Sequence, residues 1–244
     1  MSGPVAKDPI DQWIMDRVAG RSFVDIGGIG VGAWRERTTL AAQAGASKVM
    51  MADIRPADFW EWKAFRKKSA EAGVQGVIEF PNVDIRRRDT LAALGVCDIV
   101  HSTGILYHLQ SPAEAVWNLR SVTGQYLITN TVTFPSKVEN EHGVVNLPEN
   151  SVLFIAALSR QDRKVLNKYY TDKYQFTIDK VAPDPADGDA NMPWVENGEL
   201  TCWPYWYLYS DQAFRCLLKL CRLRIVDEWK WDDHALHVLC EVVR

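Results

Sequence analysis

A chain of 244 residues holds one large domain, or one domain carrying a sizeable insertion, and buries a core that needs no structural staples. Its formal charge of −3 gives no basic footprint for nucleic acid, which speaks against such a partner without excluding it. The start MSGPVAKDPIDQW is no secretory leader and no run of about eighteen apolar residues occurs, so a cytoplasmic location and no membrane partner are expected.

From Asp8, the segment DPIDQWIMDRVAG puts Ile10, Trp13, Ile14 and Val18 on one helical face, with Asp8 as N-cap and Pro9 at the first position. An apolar strand, SFVDI, then runs into the glycine loop DIGGIGVG and the helix-forming AWRERTTLAAQAG. The alternation continues with a strand over 47–53, a helix in ADFWEWKAFRKKSAEAG, and strands over 76–80 and 97–102. At SPAE a further helix begins, where Ser111 caps, Pro112 opens the turn and Glu114 completes a capping box; the strand GQYLITNTV follows. After Phe134 the rhythm breaks into mixed short patterns and the loop-like APDPADGDANMP. It resumes at Ser210, the N-cap of a helix with Phe214, Leu217, Leu218 and Cys221 on one face. LRIVDEW and ALHVLCEVV close the chain as an antiparallel hairpin.

These elements predict a doubly wound, Rossmann-like α/β fold: a mostly parallel seven-stranded sheet, a C-terminal antiparallel hairpin and an inserted lid or cap. The expected division is a cofactor-binding part over 1–134, an insertion with an aromatic cluster over 135–209, and a closing helix and hairpin over 210–244. The five cysteines, Cys97, Cys202, Cys216, Cys221 and Cys240, contain no Cys-x-x-Cys pair and predict reduced, packed thiols.

Glycines between a strand and a helix, here Gly27, Gly28 and Gly30, let backbone N–H groups approach a ligand. A dinucleotide site has such a loop too, but Asp25 precedes the glycines, where a carboxylate attracts a cationic amino-acid end and repels a pyrophosphate. That favours S-adenosylmethionine. Asp53, followed by Ile54, ends the second strand, where it can accept both ribose hydroxyls, and Asp84 after the third can accept from an adenine amino group with Ile85 against the ring. The plainer readings are a helix cap for Asp53 and a solvated loop acid for Asp84.

At CDIVHSTGILYHLQSP the chain resembles the class I methyltransferase family that includes the tRNA wobble-uridine carboxymethyltransferase, with its G-[VI]-L-Y-H segment followed by S-P. Here the segment is Gly104-Ile105-Leu106-Tyr107-His108, then Ser111-Pro112. The likeness extends back through AGASKVMMADIRPADFWEWKAFRKK and forward to WYLYSDQAFRCLLKLCRLRIVDEW, and it leaves the insertion uncovered. It implies cofactor contacts from Asp25, Gly27, Gly30, Asp53, Asp84, Ser102 and Tyr107. Two departures stand out: Ile29 occupies an expected glycine position, and only about twenty residues precede the first strand. The tRNA substrate and the carboxylated cofactor are therefore not carried over.

The function expected is methyl transfer to a small-molecule acceptor, most simply at oxygen, with His108 as base. A satisfied structural role for His108 is the plainer alternative, and His101, inside a buried strand, reads as a core histidine. No metal is expected, because His234 and His237 are three apart on one predicted strand and point to opposite faces. Trp203, Trp206 and Tyr207, in the aromatic-rich stretch 194–209, are candidate acceptor-binding residues, with packing of a cap as the alternative. A tRNA-modifying enzyme, a nicotinamide dinucleotide dehydrogenase and an inactive methyltransferase-like binding protein are the competing readings; a homodimer stays open.

Overall fold

A computed structural model of the chain describes residues 6–33, 35–178, 195–196, 199–200 and 205–243. Helix α1 (Pro9–Val18) starts as its sequence dictates: the Asp8 carboxylate accepts from the Asp11 N–H, a cap worth about 1 kcal/mol. Its apolar stripe of Ile10, Trp13, Ile14 and Val18 is buried. Strand β1 (Ser22–Ile26) leads through the glycine loop to the short α2 (Gly30–Ala33) and then α3 (Thr38–Gln43). The single helix expected here is in two pieces because Ala33 adopts a left-handed φ of 61°, which no right-handed helix continues.

The series goes on through β2 (Lys48–Ala52), α4 (Trp60–Glu71), β3 (Ile78–Phe80), α5 (Arg88–Ala92), β4 (Cys97–Ser102), α6 (Pro112–Ser121) and β5 (Thr123–Val132). Ser111 does precede α6, yet its side chain makes no capping hydrogen bond, so the expected capping box is not formed. Beyond the insertion come α8 (Asp211–Leu220), β6 (Leu223–Trp231) and β7 (Ala235–Val242); the Ser210 hydroxyl caps α8 by accepting from the Ala213 N–H. The sheet order is β3-β2-β1-β4-β5-β7-β6, with β1 to β5 parallel and β7 antiparallel to both its neighbours. This is the predicted doubly wound, Rossmann-like sheet with its C-terminal hairpin.

Period-2 alternation splits the strands between two cores. Val24, Ile26, Met50, Val100 and Leu127 pack with α6 and α8 residues such as Leu119 and Phe214. Phe23, Val49, Ile99, Ile128 and Leu239 pack on the other face against Ile10, Trp13 and Ile14 of α1.

The 135–209 segment, expected to be an insertion, holds more regular structure among its described residues than its sequence suggested. It contains a hairpin (Lys137–Asn140 with Gly143–Asn146), a strand Val152–Phe154 paired with Tyr207–Tyr209, and a helix, α7 (Arg160–Tyr174). Ser159 caps α7, accepting from the Asp162 N–H while its hydroxyl donates to the Asp162 carboxylate. Only a narrow stripe of α7, including Val165, Leu166 and Tyr170, is buried, which is why its polar sequence reads poorly as a helix. With Phe134, Val138, Val145, Leu147, Ile155 and Leu208 these residues form a separate hydrophobic cluster, and the Tyr170 hydroxyl donates to the Thr133 carbonyl at 2.8 Å, pinning it to the end of β5. Among the described residues no helix is long and apolar enough to cross a membrane.

Candidate functional site

Phe23, Ile99, Ile128 and Leu239 cross the α1 face of the sheet as an apolar row. Two residues nearer the carboxyl ends of the parallel strands, the same face carries Asp25, His101 and Asn130, joined by His237 from antiparallel β7. Asp25 lies opposite His101 in the β1–β4 register, and Asn130 opposite His237 in the β5–β7 register. All four are buried. The Asp25 carboxylate takes His101 Nδ1 at 2.8 Å on one oxygen and the Arg37 N–H at 2.7 Å on the other. His101 Nε2 lies 3.3 Å from the Thr103 hydroxyl, and the Asn130 carbonyl accepts from the Gly104 N–H at 2.7 Å. Asn130 Nδ2 lies 3.4 Å from His237 Nε2, and burial pushes His237 down to about 3, so it stays neutral.

This row floors a cleft of about 580 Å³, within the size of small-molecule sites, with Gly27, Gly28, Gly30, Gly104, Tyr107 and Trp231 among its walls. The glycines fit a cradle that side chains would fill. Gly27 has φ 86°, and a Cβ on Gly28 would stand 2.5 Å from Asp25 Oδ2, whereas one on Gly30 would meet nothing within 4 Å. Lys7, Asp8 and Ile10 close one side of the cleft. They are fastened there by Arg37, which pairs with Asp8 at 2.8 Å and Asp11 at 2.7 Å while its backbone holds Asp25. The sequence reading gave Asp8 a capping role alone.

The other expected cofactor residues lie off the lining of this cleft. Asp53, one residue past β2, is buried, accepts from the Arg55 N–H, and is raised by desolvation to about 6. Its neighbour Ile54 is half-exposed. The Asp84 carboxylate is held by the Arg86 guanidinium at 2.7 to 3.0 Å, and Ile85 is buried in the α6-side core, its carbonyl accepting from Asn118. Ser102 points to the opposite face of β4 from His101, and its hydroxyl is buried with no partner among the described residues. Of the resemblance segment, Gly104 and Tyr107 reach the cleft, and burial raises the Tyr107 hydroxyl to about 12.

A second cavity of about 420 Å³ lies beside the first, sharing Arg35, Tyr107, Asn130 and Trp231 as lining. Its remaining walls include Tyr174 and Phe176 after α7, Tyr205, and His234. Tyr107, Tyr205 and Phe176 form one stack, with ring centroids 4.9 and 5.5 Å apart and planes within 10°. The aromatic stretch thus sends Tyr205 to the cavity. Trp206 instead faces the hydrophobic cluster of the 135–209 segment, stacked on Phe154, and its backbone N–H donates to the Tyr107 carbonyl; Tyr207, opposite Phe154 in the strand pairing, packs against the same ring. Trp203 lies outside the described residues. His108 lies behind this wall, its ring 4.4 Å from Tyr107 and 4.8 Å from Tyr205, on neither cavity's lining. His234 is not on a strand, as its spacing from His237 suggested, but in the turn before β7. Among the described residues no three His, Cys, Asp or Glu side chains gather as a metal site.

The sheet order defines a Rossmann-like fold, with a polar cleft at the carboxyl ends of its parallel strands. Solved structures with that fold include magnesium protoporphyrin IX methyltransferase (ChlM) from Synechocystis PCC 6803 with bound SAH, at 14% identity and TM-score 0.55, covering 100% of this chain and 90% of that one. The N-terminal domain of EvdMO1, in the presence of SAH and D-fucose, matches at 14% identity and TM-score 0.56, over 100% and 86%. An S-adenosylmethionine-dependent methyltransferase from Mesorhizobium loti matches at 14% and 0.52, over 96% of each chain. No family model and no curated protein sequence matches the chain.

Proposed function

We infer that the chain is an S-adenosylmethionine-dependent methyltransferase that methylates an oxygen of a small-molecule acceptor. One observation carries this reading: a buried carboxylate, Asp25, at a glycine turn whose cleft adjoins an aromatic cavity across Arg35, Tyr107, Asn130 and Trp231. A negative charge held there by His101 and Arg37 suits the cationic amino-acid end of the sulfonium cofactor and opposes a dinucleotide pyrophosphate. Bound, the cofactor would supply an activated methyl group. The residues' task is then alignment, since in-line displacement needs donor and acceptor held in contact more than it needs acid or base.

Gly27, Gly28 and Gly30 would let the backbone approach the cofactor, Asp53 would accept from its ribose hydroxyls, and Gly104 and Tyr107 would wall its reactive end. The same Gly104–His108 segment carries the likeness to the wobble-uridine group. The acceptor would enter the aromatic cavity, with the insertion, through Tyr174, Phe176 and Tyr205, as its outer wall. Calorimetry tests the cofactor reading: adenosylhomocysteine should bind at micromolar affinity and NAD should not. Binding of NAD with none of adenosylhomocysteine overturns it.

A further inference from the structure

His234 follows a two-residue turn in which Asp232 and Asp233 both adopt left-handed φ, 44° and 60°, between β6 and β7. This is the type I′ geometry that a hairpin demands, met here without the glycine or asparagine that usually supplies it. The turn is closed by the His234 N–H donating to the Trp231 carbonyl, and fixed to β5 by the Thr133 N–H donating to the His234 carbonyl at 2.7 Å. Backbone strain held this firmly aims a side chain. The side chain aimed is an imidazole, buried, with its ring 3.8 Å from Tyr174, 5.5 Å from Trp231 and 5.6 Å from Phe176.

We propose that His234 takes the proton from the methyl acceptor, and that the acceptor is a planar phenol lying among the rings of the second cavity; this rests on the methyltransferase reading above. The ring's protonation follows from its partners. Nδ1 lies 3.4 Å from the Asp232 carbonyl, which can only accept, so the proton sits on Nδ1 and Nε2 keeps its lone pair. No described residue bonds Nε2. Burial lowers the group from the usual histidine value, and Lys173 and Arg35 add to this against the opposing pull of Asp232. The charged and titratable groups facing it are thus Arg35, Lys173, Tyr174, Asp232 and, through Tyr174, Asp233. A neutral imidazole results at neutral pH.

Competing histidines are engaged elsewhere: His101 with Asp25 and Thr103, His237 with Asn130, and His108 behind Tyr107. Imidazole is closer in basicity to a phenolate than to an alkoxide, so a phenolic acceptor asks least of it as a base. The rings of Tyr174, Phe176, Tyr205 and Trp231 give a planar guest stacking surfaces, and Arg35 and Lys173 on the same lining stabilise developing phenolate charge. In the step, the phenolic O–H bond breaks and its proton passes to Nε2. The freed oxygen pair forms the O–CH3 bond while the sulfonium S–CH3 bond breaks, its electron pair returning to sulfur. A methyl ether, a neutral thioether and an imidazolium remain, and the imidazolium releases its proton to water.

The test uses 4-nitrophenol, whose phenolate absorbs visibly, added to the full chain saturated with adenosylhomocysteine below the phenol's own pKa. Binding should raise the phenolate band in the wild type; H234Q should still quench tryptophan fluorescence on binding the probe but lose the band, and H108A should keep it. With the active cofactor, H234Q should lower turnover of a phenolic acceptor about 10²-fold. Persistence of the band in H234Q, or its loss in H108A alone, overturns the proposal. Should H234Q not fold, wild-type NMR decides: the assigned His234 ring signals must titrate below the usual histidine range and move on adding the probe, and unmoved signals overturn the proposal. Failure of the methyltransferase reading is separate, since it shows as no adenosylhomocysteine binding in any variant.

Discussion

The two cavities share a wall and are built by different rules. The polar cleft is a sheet-end device: Asp25, His101 and Asn130 each stand two residues beyond an apolar core residue on the same strand face, so the geometry that packs Phe23, Ile99 and Ile128 also aims the polar row. The aromatic cavity has no such scaffold. Its rings come from the end of α7, from the segment before Tyr207–Tyr209, from the Leu106–His108 turn and from the β6–β7 hairpin, and only tertiary packing brings them together. A polar site can be inherited from a strand register. A site made of rings must be assembled from separate elements, which also leaves it free to differ in acceptor.

If that division holds, the largest effect comes from the cleft. G28A would drive a Cβ to 2.5 Å from an Asp25 oxygen that already holds its partner, and adenosylhomocysteine affinity should fall by about 2–4 kcal/mol, read by calorimetry. Unchanged affinity would mean the cradle is not where the ligand sits.

Asp53 sharpens the contrast, because its burial works against stability while its proposed role needs the charge. Its pKa is raised from 3.8 to about 6 in the fold, so folding is helped below the unfolded value, and that help is lost as pH rises through about 6. At pH 7 the ionised group therefore opposes folding, and D53N should raise the stability of the free protein by on the order of 1–3 kcal/mol in urea melts. The same variant should weaken adenosylhomocysteine binding by about 1–3 kcal/mol, and wild-type affinity should climb with pH through about 6 as the carboxylate ionises. A variant that gained stability and kept full affinity would remove Asp53 from the site.

On the other side of the wall, Y205A takes the middle ring from the Tyr107–Tyr205–Phe176 stack. It should raise the KM of a phenolic acceptor by about tenfold, the scale of one aromatic pair, while adenosylhomocysteine affinity stays within about twofold. Loss of both together in a folded variant would show that the two cavities are one energetic unit.

The parts legible in the sequence were those governed by local pattern. CDIVHS gave β4 residue for residue, and SFVDI followed by glycines placed Asp25 at a strand end beside a turn. Asp84 and Ile85 were placed correctly after β3, but nothing local announces that Arg86 occupies the carboxylate or that Ile85 packs under α6. Asn130 and His237 were invisible as site residues because their membership depends on register, His237 joining the row only through antiparallel pairing with Asn130, and Arg35 and Trp231 because only tertiary packing brings them to the cleft. His234 was misread by treating the hairpin turn as strand. Two signals were available and unused: the Ser159-x-x-Asp162 start of α7, and a pair of aspartates, residues that tolerate left-handed turn positions, between two apolar runs.

Arg37 ties the first helix to the floor of the cleft. One residue spans Asp8, Asp11 and Asp25, and Trp13 on the same helix donates to Asp227 of β6, just past the irregularity between Ile225 and Asp227. Free energy that a ligand gains from an ordered Asp25 is thereby shared with a helix at the chain's beginning and a strand near its end. Filling the cleft should slow amide exchange in α1 and around Asp227 together, so that two sequence-distant segments report a single binding event.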